Sequence, residues 1–340
     1  MGGTGPPRSV RPRHASRCRT PCLENYLVSL LIILVLYVPL FVIVLGTVMS
    51  FFGETFYIFD LASHLRYLLA LAAGILAIAL VSVRRRVGLA LAVLTFGINA
   101  GAVAYWHMPA RGLDEQPFPA LDREPVGVRM LVANLGAHNT EYAPFDTLLS
   151  ELEPQIAVLI EPPRGWLEAL RERPGYPYKH VATHEGAGVM VISQLPTDSQ
   201  TVFIEGRPAI QSTLFYAGRR VRVLSIHPPP PVSAEQASDH ADTLRAAASL
   251  LDPSIGMQRW LVGDLNTTMF SARYLGLERA TGLRNVRKGR GIMPTWPAWL
   301  PWLGLPLDHV LVGPQTRVST VRVTRAFGSD HRGLLVELVI

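Results

Sequence analysis

Six places in this 340-residue sequence set Asn, Asp, Glu or His at the edge of a short apolar run. "LVAN" ends in Asn134, "AVLIE" in Glu161, "LSIH" in His227, and "LVGDLN" in Asp264 and Asn266. "LPLDHV" opens a run with Asp308 and His309, and "GSDHRG" places Asp330 and His331 before the last one. A single carboxylate after an apolar run is ordinarily a turn former. Six such places with these residue types are too many for capping, and strand ends on one edge of a sheet converge on one site. The types suit metal-assisted phosphoester hydrolysis. A hard cation such as Mg²⁺ takes carboxylate and amide oxygens, polarises a phosphoryl oxygen, and leaves a water to be activated by a positioned Asp or His. No Gly-x-Ser-x-Gly, His-Glu-x-x-His or Walker loop supports another chemistry.

The elements that would position these residues follow from the hydrophobic pattern. "VRMLVAN", "IAVLIE", "GVMVIS", "AIQSTLF", "VRVLSI", "RWLVG", "LDHVLVG" and "STVRVT" are β-rich runs bounded by turn residues. Helical periodicity appears over Phe145 to Leu152, Arg164 to Arg173 and Ala234 to Leu251. Strands mixed with helices from residue 128 onward predict one α/β domain with a large sheet content.

Asn134, Glu161, His227, "GDLN", "LDHV" and "SDH", in that order, resemble the endonuclease/exonuclease/phosphatase (DNase I-like) family over Val128 to Ile340. "VMVISQLP" resembles a strand that in the family ends in Ser-Arg-x-Pro. "PTWP" and "HPPPP" are similar to a membrane-anchored bacterial branch. The departures are Gln194, where Arg is usual, and Ile160 before Glu161, where Gln is common. The resemblance implies a four-layer sandwich of two mixed β-sheets flanked by helices. It implies Mg²⁺ or Mn²⁺ at Glu161, with Asn134 nearby and Asp330 adding to the metal shell. It gives Asp264 the activation of the nucleophile and Asn266 the support of the transition state. His331, held by Asp308, meets the scissile phosphate or serves as base, and His227 is a second phosphate-side histidine.

The first third of the chain is different. Tyr26 to Phe52, Tyr67 to Val83 and Val87 to Trp106 are apolar runs near the ~20 residues that span a bilayer core. Arg8, Arg11, Arg13, Arg17 and Arg19 precede the first, and Arg84 to Arg86 join the second to the third, whereas Glu54 and Asp60 join the first to the second. The positive-inside rule puts both basic segments in the cytoplasm and everything after Trp106 outside it. The expected organisation is a basic tail (1–25), a three-span anchor in the cell (inner) membrane (26–106), a linker (107–127) and an extracytoplasmic domain (128–340). Cys18 and Cys22, the only cysteines, both fall in the tail and predict neither a disulfide nor a metal site.

Charge bears on the substrate. Nine of the 32 Lys/Arg and three of the 26 Asp/Glu stand before Ala110, which leaves 23 of each after it. A neutral domain argues against a long nucleic acid as partner. Arg284, Arg287, Lys288 and Arg290 form a local cluster that reads equally as solvated loop or as phosphate or lipid-headgroup contact. Trp296, Trp299 and Trp302 follow and suit either a membrane interface or the covering of a sheet edge. Members of the resembled family cut DNA, inositol phosphates and sphingomyelin, so the expected partner is a phosphoester, whether lipid headgroup, nucleotide or nucleic acid, together with membrane lipid. No protein partner is implied. The competing class, a non-catalytic tethered binding module, would be expected to lose Glu161, Asp264 or His331. A second "SDH" at Ser238 to His240 lies in a helical run, where Asp239 and His240 are expected to face solvent. His309 is expected to pack away from the site.

Overall fold

The computed structural model describes residues 20–109, 125–184, 187–252 and 257–340. The tail arginines, Cys18 and most of the expected linker lie outside the described residues; Cys22 is in the first helix.

Gly127 to the C-terminus forms two six-stranded sheets packed face to face. One has the order β11-β12-β1-β2-β4-β3 and the other β5-β6-β7-β8-β10-β9. The first contains β1 (Gly127–Asn134), β2 (Ile156–Ile160), β3 (Tyr178–His184), β4 (Ala187–Ser193), β11 (Arg317–Ala326) and β12 (Arg332–Val339). The second contains β5 (Thr197–Ile204), β6 (Arg207–Tyr216), β7 (Arg219–Ser225), β8 (Gln258–Asp264), β9 (Arg284–Asn285) and β10 (Asp308–Val312). Alternation along a strand sends successive side chains to opposite faces. Met130 and Val132 of β1 therefore join Val223, Trp260 and Val310 between the sheets. Leu131 and Ala133 turn outward onto α6 (Tyr142–Leu152) and α7 (Leu167–Glu172). Leu261 and Leu311 of the second sheet turn outward onto α8 (Ala234–Leu250) and α9 (Ala272–Thr281). The result is the four-layer sandwich the resemblance implied.

Each sheet has one parallel pair, β1 with β2 and β7 with β8. Parallel neighbours need a crossover, which α6 and α8 supply, and so their C-terminal ends lie side by side. That edge carries Asn134 and Glu161 in one sheet and His227 and Asp264 in the other. Antiparallel β10 begins at the same edge, with Asp308 directly opposite Asp264.

The N-terminal helices are α1 (Thr20–Ile32), continued through Ile33–Tyr37 into α2 (Val38–Met49), then α3 (Tyr57–His64), α4 (Arg66–Ser82) and α5 (Arg86–His107). Tyr26–Met49 and Arg86–His107 are each long and apolar enough to cross a membrane. The 17-residue α4 reaches the required length only with α3, from which it is bent by 65°. Buried Asn99 of α5 donates to Thr47 of α2 (2.8 Å) across the bundle.

The domain is docked on this bundle, not merely tethered to it. Trp106, at the end of α5, is 3% exposed and packs among Tyr274, Leu277 and Leu283. Its carbonyl accepts the Gly289 and Gly291 N–H groups (3.0 and 3.3 Å). Three of the four cations in the basic cluster expected to face solvent or phosphate are consumed here and beneath the site. Lys288 bonds the Tyr105 carbonyl and lies over its ring, and Arg290 donates to the Val318 carbonyl (2.6 Å). Arg287 is fully buried, its Nη1 on the Asp308 carbonyl (2.6 Å) and its other nitrogens on the Met293 carbonyl. A run of cations in sequence carries no sign of the carbonyls another element will aim at it.

Candidate active site

Asp264 is the point on which the strand ends converge. It closes β8, preceded by Gly263, whose φ of 151° and missing side chain let the chain pass against the Ile226 carbonyl. Its two oxygens divide the work that "GDLN" left open. Oδ1 accepts the Asn266 N–H (2.9 Å), a turn closed by the side chain. Oδ2 accepts Asn134 Nδ2 (3.0 Å) and lies 3.7 Å from both His227 Nε2 and His331 Nε2. The same stretch both closes a turn and gathers Asn134, His227 and His331 around one carboxylate.

Around it, His227 Nε2 stands 3.5 Å from Glu161 Oε1 and 3.1 Å from Asn266 Nδ2. Asn266 also donates to the Pro228 carbonyl (3.0 Å). Glu161 Oε2 accepts the Ala137 N–H (3.2 Å). Glu161 and Asn266 both sit in the left-handed region, at φ 50° and 48°. That region is tolerable for Asn and costs a Glu on the order of 1 kcal/mol, a strain the fold keeps where it aims the Glu161 carboxylate back toward the edge.

His331 ties the two sheets together. Its Nδ1 donates to Asp308 Oδ2 (2.9 Å), and its backbone N–H donates to Ser329 Oγ (3.0 Å), which in turn donates to the Asn134 carbonyl (2.8 Å). Burial opposes a charge on this imidazole, but the carboxylates of Asp308 and Asp264 outweigh it and raise its pKa to about 10. Burial likewise opposes ionisation of Asp264, yet His331 and His227 hold its carboxyl below the usual range. Asp308 is pushed up, by burial first and then by Asp264, despite the His331 contact. At neutral pH the arrangement is an imidazolium held between the ionised Asp264 and the carboxyl group of Asp308.

Asp330 stands at the exposed rim, where its Oδ2 accepts Trp296 Nε1–H (3.0 Å). Gln194 is at the opposite end of β2 from Glu161, because Ser193 pairs with Ile156 while Val189 pairs with Ile160. It therefore leaves the charge at the site unchanged.

The sequence did not reveal what supports the loop after Asp264. His240 is buried, contrary to the expectation that it faces solvent, and its Nε2 bonds the Leu265 carbonyl (3.0 Å); Asp239 is exposed as expected. His309, which does pack away from the site, donates from Nε2 to the Thr267 carbonyl (2.9 Å) and faces Asn285 at Nδ1 (2.9 Å). Burial lowers the pKa of His240 to about 4 and of His309 to about 3, so both stay neutral. His64 of α3 accepts the Thr268 N–H at Nδ1 (3.0 Å). Three histidines thus hold residues 265, 267 and 268 from behind. Asp60, four residues before His64, accepts Ser271 Oγ (2.8 and 2.9 Å) and the Ala272 N–H (3.1 Å), with Arg273 Nε at 3.8 Å. Thr295 Oγ1 accepts the N–H groups of Leu307 and Asp308 (3.2 and 3.3 Å).

Beside Glu161 opens a cleft of ≈ 1300 Å³ lined by His138, Arg164, Trp166, Thr183 and His184 among others.

The donor set fits a hard divalent cation. Glu161 is a partly exposed carboxylate, which suits a hard ion that keeps several waters. Asp264, Asp308 and His331 also bring a carboxylate or ring atom each within 4.8 Å of one another, but a charged His331 has no lone pair to offer a cation; among the described residues Asp308 Oδ1 is buried without a hydrogen-bond partner.

Comparison with known proteins agrees with this geometry. The model of the endonuclease/exonuclease/phosphatase family matches residues 131–331. No curated protein matches the chain. Among solved structures, D. rerio TDP2 complexed with a single-strand DNA product is similar at a TM-score of 0.54 and 12% identity, over 62% of this chain and 98% of that one. The endonuclease/exonuclease/phosphatase from Beutenbergia cavernae aligns at 0.51 and 20% identity, over 62% and 71%. A family protein from Bacteroides thetaiotaomicron aligns at 0.53 and 15% identity, over 64% and 99%. At these identities the likeness is one of fold.

Proposed function

The chain belongs to the endonuclease/exonuclease/phosphatase family, and from that premise we propose that it is a membrane-anchored, divalent-metal-dependent phosphoesterase working by attack of an activated water. The observation that carries this reading is the convergence of Asn134, His227, His331 and Asn266 on the one ionised carboxylate of Asp264. Asp264 Oδ2 accepts the proton of the attacking water, and Asn134 fixes the orientation of that oxygen. His331, charged and held by Asp308, faces a phosphoryl oxygen and offsets the charge that grows there. His227 and Asn266 meet the remaining phosphoryl oxygens from the other side. Glu161, with Asn134, would hold Mg²⁺ or Mn²⁺, which supplies Lewis-acid polarisation of the phosphoryl group. Asp330 joins that shell only if its carboxylate leaves Trp296.

Hydrolysis of bis(p-nitrophenyl) phosphate by the full chain is expected to stop with EDTA and return with Mg²⁺ or Mn²⁺. Glu161→Gln should raise the metal concentration for half-maximal rate by about tenfold or more, the scale produced by loss of even an outer partner of a metal ligand. Full turnover in excess EDTA would rule the mechanism out.

The anchor reading extends the same proposal: the tail and Arg84–Arg86 are cytoplasmic, and the domain is outside. His64, just before α4, and Trp106, at the end of α5, both contact the domain, which supports a reading in which α4 and α5 run away from and back to the same face. An alkaline phosphatase reporter fused after Ala110 should be active and a cytoplasmic reporter silent. The opposite pattern would invert the topology.

A further inference from the structure

The loop from Trp296 to Leu305 lies between the candidate site and the membrane helices. Its neck is closed by Trp296 and Leu305, each bonding the other's backbone. On one side of the neck Trp296 Nε1 bonds Asp330 Oδ2, the Ala298 N–H bonds the Asp330 carbonyl (2.7 Å), and Arg332 Nε bonds the Ala298 carbonyl (3.1 Å). Asp330 is the neighbour of His331. On the other side the Gly304 carbonyl accepts Tyr67 Oη–H, and Tyr67 is the second residue of α4. One small closed loop therefore touches both the site and the first turn of a membrane helix.

Its tip is apolar and exposed among the described residues. Trp299 is 75% exposed and Trp302 73%, with Leu303 also exposed. No charged residue occurs from Pro294 to Leu307. A water-facing loop of that length ordinarily carries charge, whereas tryptophan concentrates at the membrane–water interface, with an apolar ring and one polar N–H. Phe51, Phe52 and Phe56, exposed in the segment that joins α2 to α3, mark the same end of the bundle. Tyr67 joins the tryptophan loop to that end.

The alternative occupant of the site, a nucleic acid, needs a basic track. The chain after Ala110 carries 23 Lys/Arg against 23 Asp/Glu, and Arg287, Lys288 and Arg290 are spent on carbonyls of Asp308, Met293, Tyr105 and Val318.

We propose that Trp299 and Trp302 lie in the headgroup layer of the membrane that anchors the chain, and that the substrate is a phospholipid of that membrane, whose phosphoester reaches Asp264 and His331 past this loop. This rests on the phosphoesterase reading of the site. The acyl part stays in the bilayer on the side of the tryptophans, and the headgroup substituent enters the cleft beside Glu161.

The test uses the full chain reconstituted into vesicles of phosphatidylglycerol and phosphatidylcholine, with bis(p-nitrophenyl) phosphate and a single-stranded oligonucleotide as soluble substrates. The protein should hydrolyse vesicle lipid and leave the oligonucleotide largely intact. The double variant Trp299→Ala/Trp302→Ala should lose about tenfold or more in kcat/KM on vesicle lipid, about 1.4 kcal/mol of transition-state stabilisation, and keep its rate on the soluble diester within about twofold. Brominated lipid should quench the tryptophan fluorescence of the wild type more than that of Trp299→Phe/Trp302→Phe. Cleavage of oligonucleotide with lipid untouched, equal lipid turnover by the double variant, or equal quenching would overturn the proposal. Turnover of the soluble diester without lipid turnover would overturn it alone, whereas inactivity on every substrate would overturn the phosphoesterase reading beneath it.

Discussion

Asp264→Ala is expected to lower kcat by about three orders of magnitude, the scale of losing a positioned general base, while the protein stays folded. The two consequences separate because this carboxylate is costly to bury. It sits in the same pocket as Asp308, and its removal relieves a like-charge contact as it forfeits the bonds from Asn134 and Asn266. The lost turn bond costs about 1 kcal/mol, the usual net worth of a hydrogen bond. His331→Ala should lower kcat comparably but should destabilise more, by roughly 3–5 kcal/mol, because it strips the counter-charge from a buried pair. In the double variant Asp264→Ala/His331→Ala, turnover should fall little below that of either single variant, as for groups that act as a unit on one water and one phosphate. Stability, by contrast, should recover part of what His331→Ala lost, since only Asp308 is left to bury. Rates on bis(p-nitrophenyl) phosphate and thermal unfolding measure both. A folded Asp264→Ala protein with normal turnover would leave "GDLN" as a turn and nothing more.

Most of the strands legible in sequence are buried on both faces, although the exposed edge strand β11 was also read, from "STVRVT". β1, β2, β4, β8 and β10 read as near-continuous apolar runs because inner and outer layers both cover them. β3 and β5 went unread because each is an edge strand, largely exposed, with sequences "YKHVATH" and "TDSQTVFI" that mix polar and apolar residues without a clean period. The site was legible for a related reason. Its residues are the first polar ones after buried strands, and the parallel pairs β1–β2 and β7–β8 bring those ends to one edge.

What supports the site was less visible, though not everywhere. Ala237, His240, Leu244 and Ala247 are spaced as one buried face of α8, so the inward direction of His240 was available from periodicity. Attention to the "SDH" triplet hid it. Asp60 and His64 share a face of an eight-residue helix by their i, i+4 spacing. Nothing local said that this face would meet residues 268–273. Contacts that join segments more than 200 residues apart are set by tertiary packing, to which local pattern is blind.

Those contacts make a severe effect of cutting the chain between α5 and β1 the second expected result. A fragment from residue 125 onward contains every candidate site residue and both sheets. It loses Trp106 from among Tyr274, Leu277 and Leu283, a truncation of the kind that costs roughly 3–5 kcal/mol within a core. It also loses the acceptors of the Thr268 and Ala272 N–H groups and of Ser271 Oγ. Water can replace those acceptors in the fragment, so their loss should be felt less in stability than in the position of the loop that carries Asn266. The fragment is therefore expected to unfold at a markedly lower temperature than the full chain and to turn over the soluble diester at least about tenfold more slowly, since misplacing a group by about 1 Å costs up to 100-fold. Two full-length variants separate the causes. Trp106→Ala should reproduce the loss of stability. His64→Ala should lower kcat with KM for the soluble diester nearly unchanged, and His64→Asn, which keeps an acceptor for the Thr268 N–H, should recover part of it. If the fragment matches the full chain in both unfolding temperature and kcat, the helices are only a tether. If it falls short as described, the N-terminal helices are a structural part of the candidate site, and α3 reaches from the end of the apolar helix α2 to the back of the loop on which Asn266 is carried.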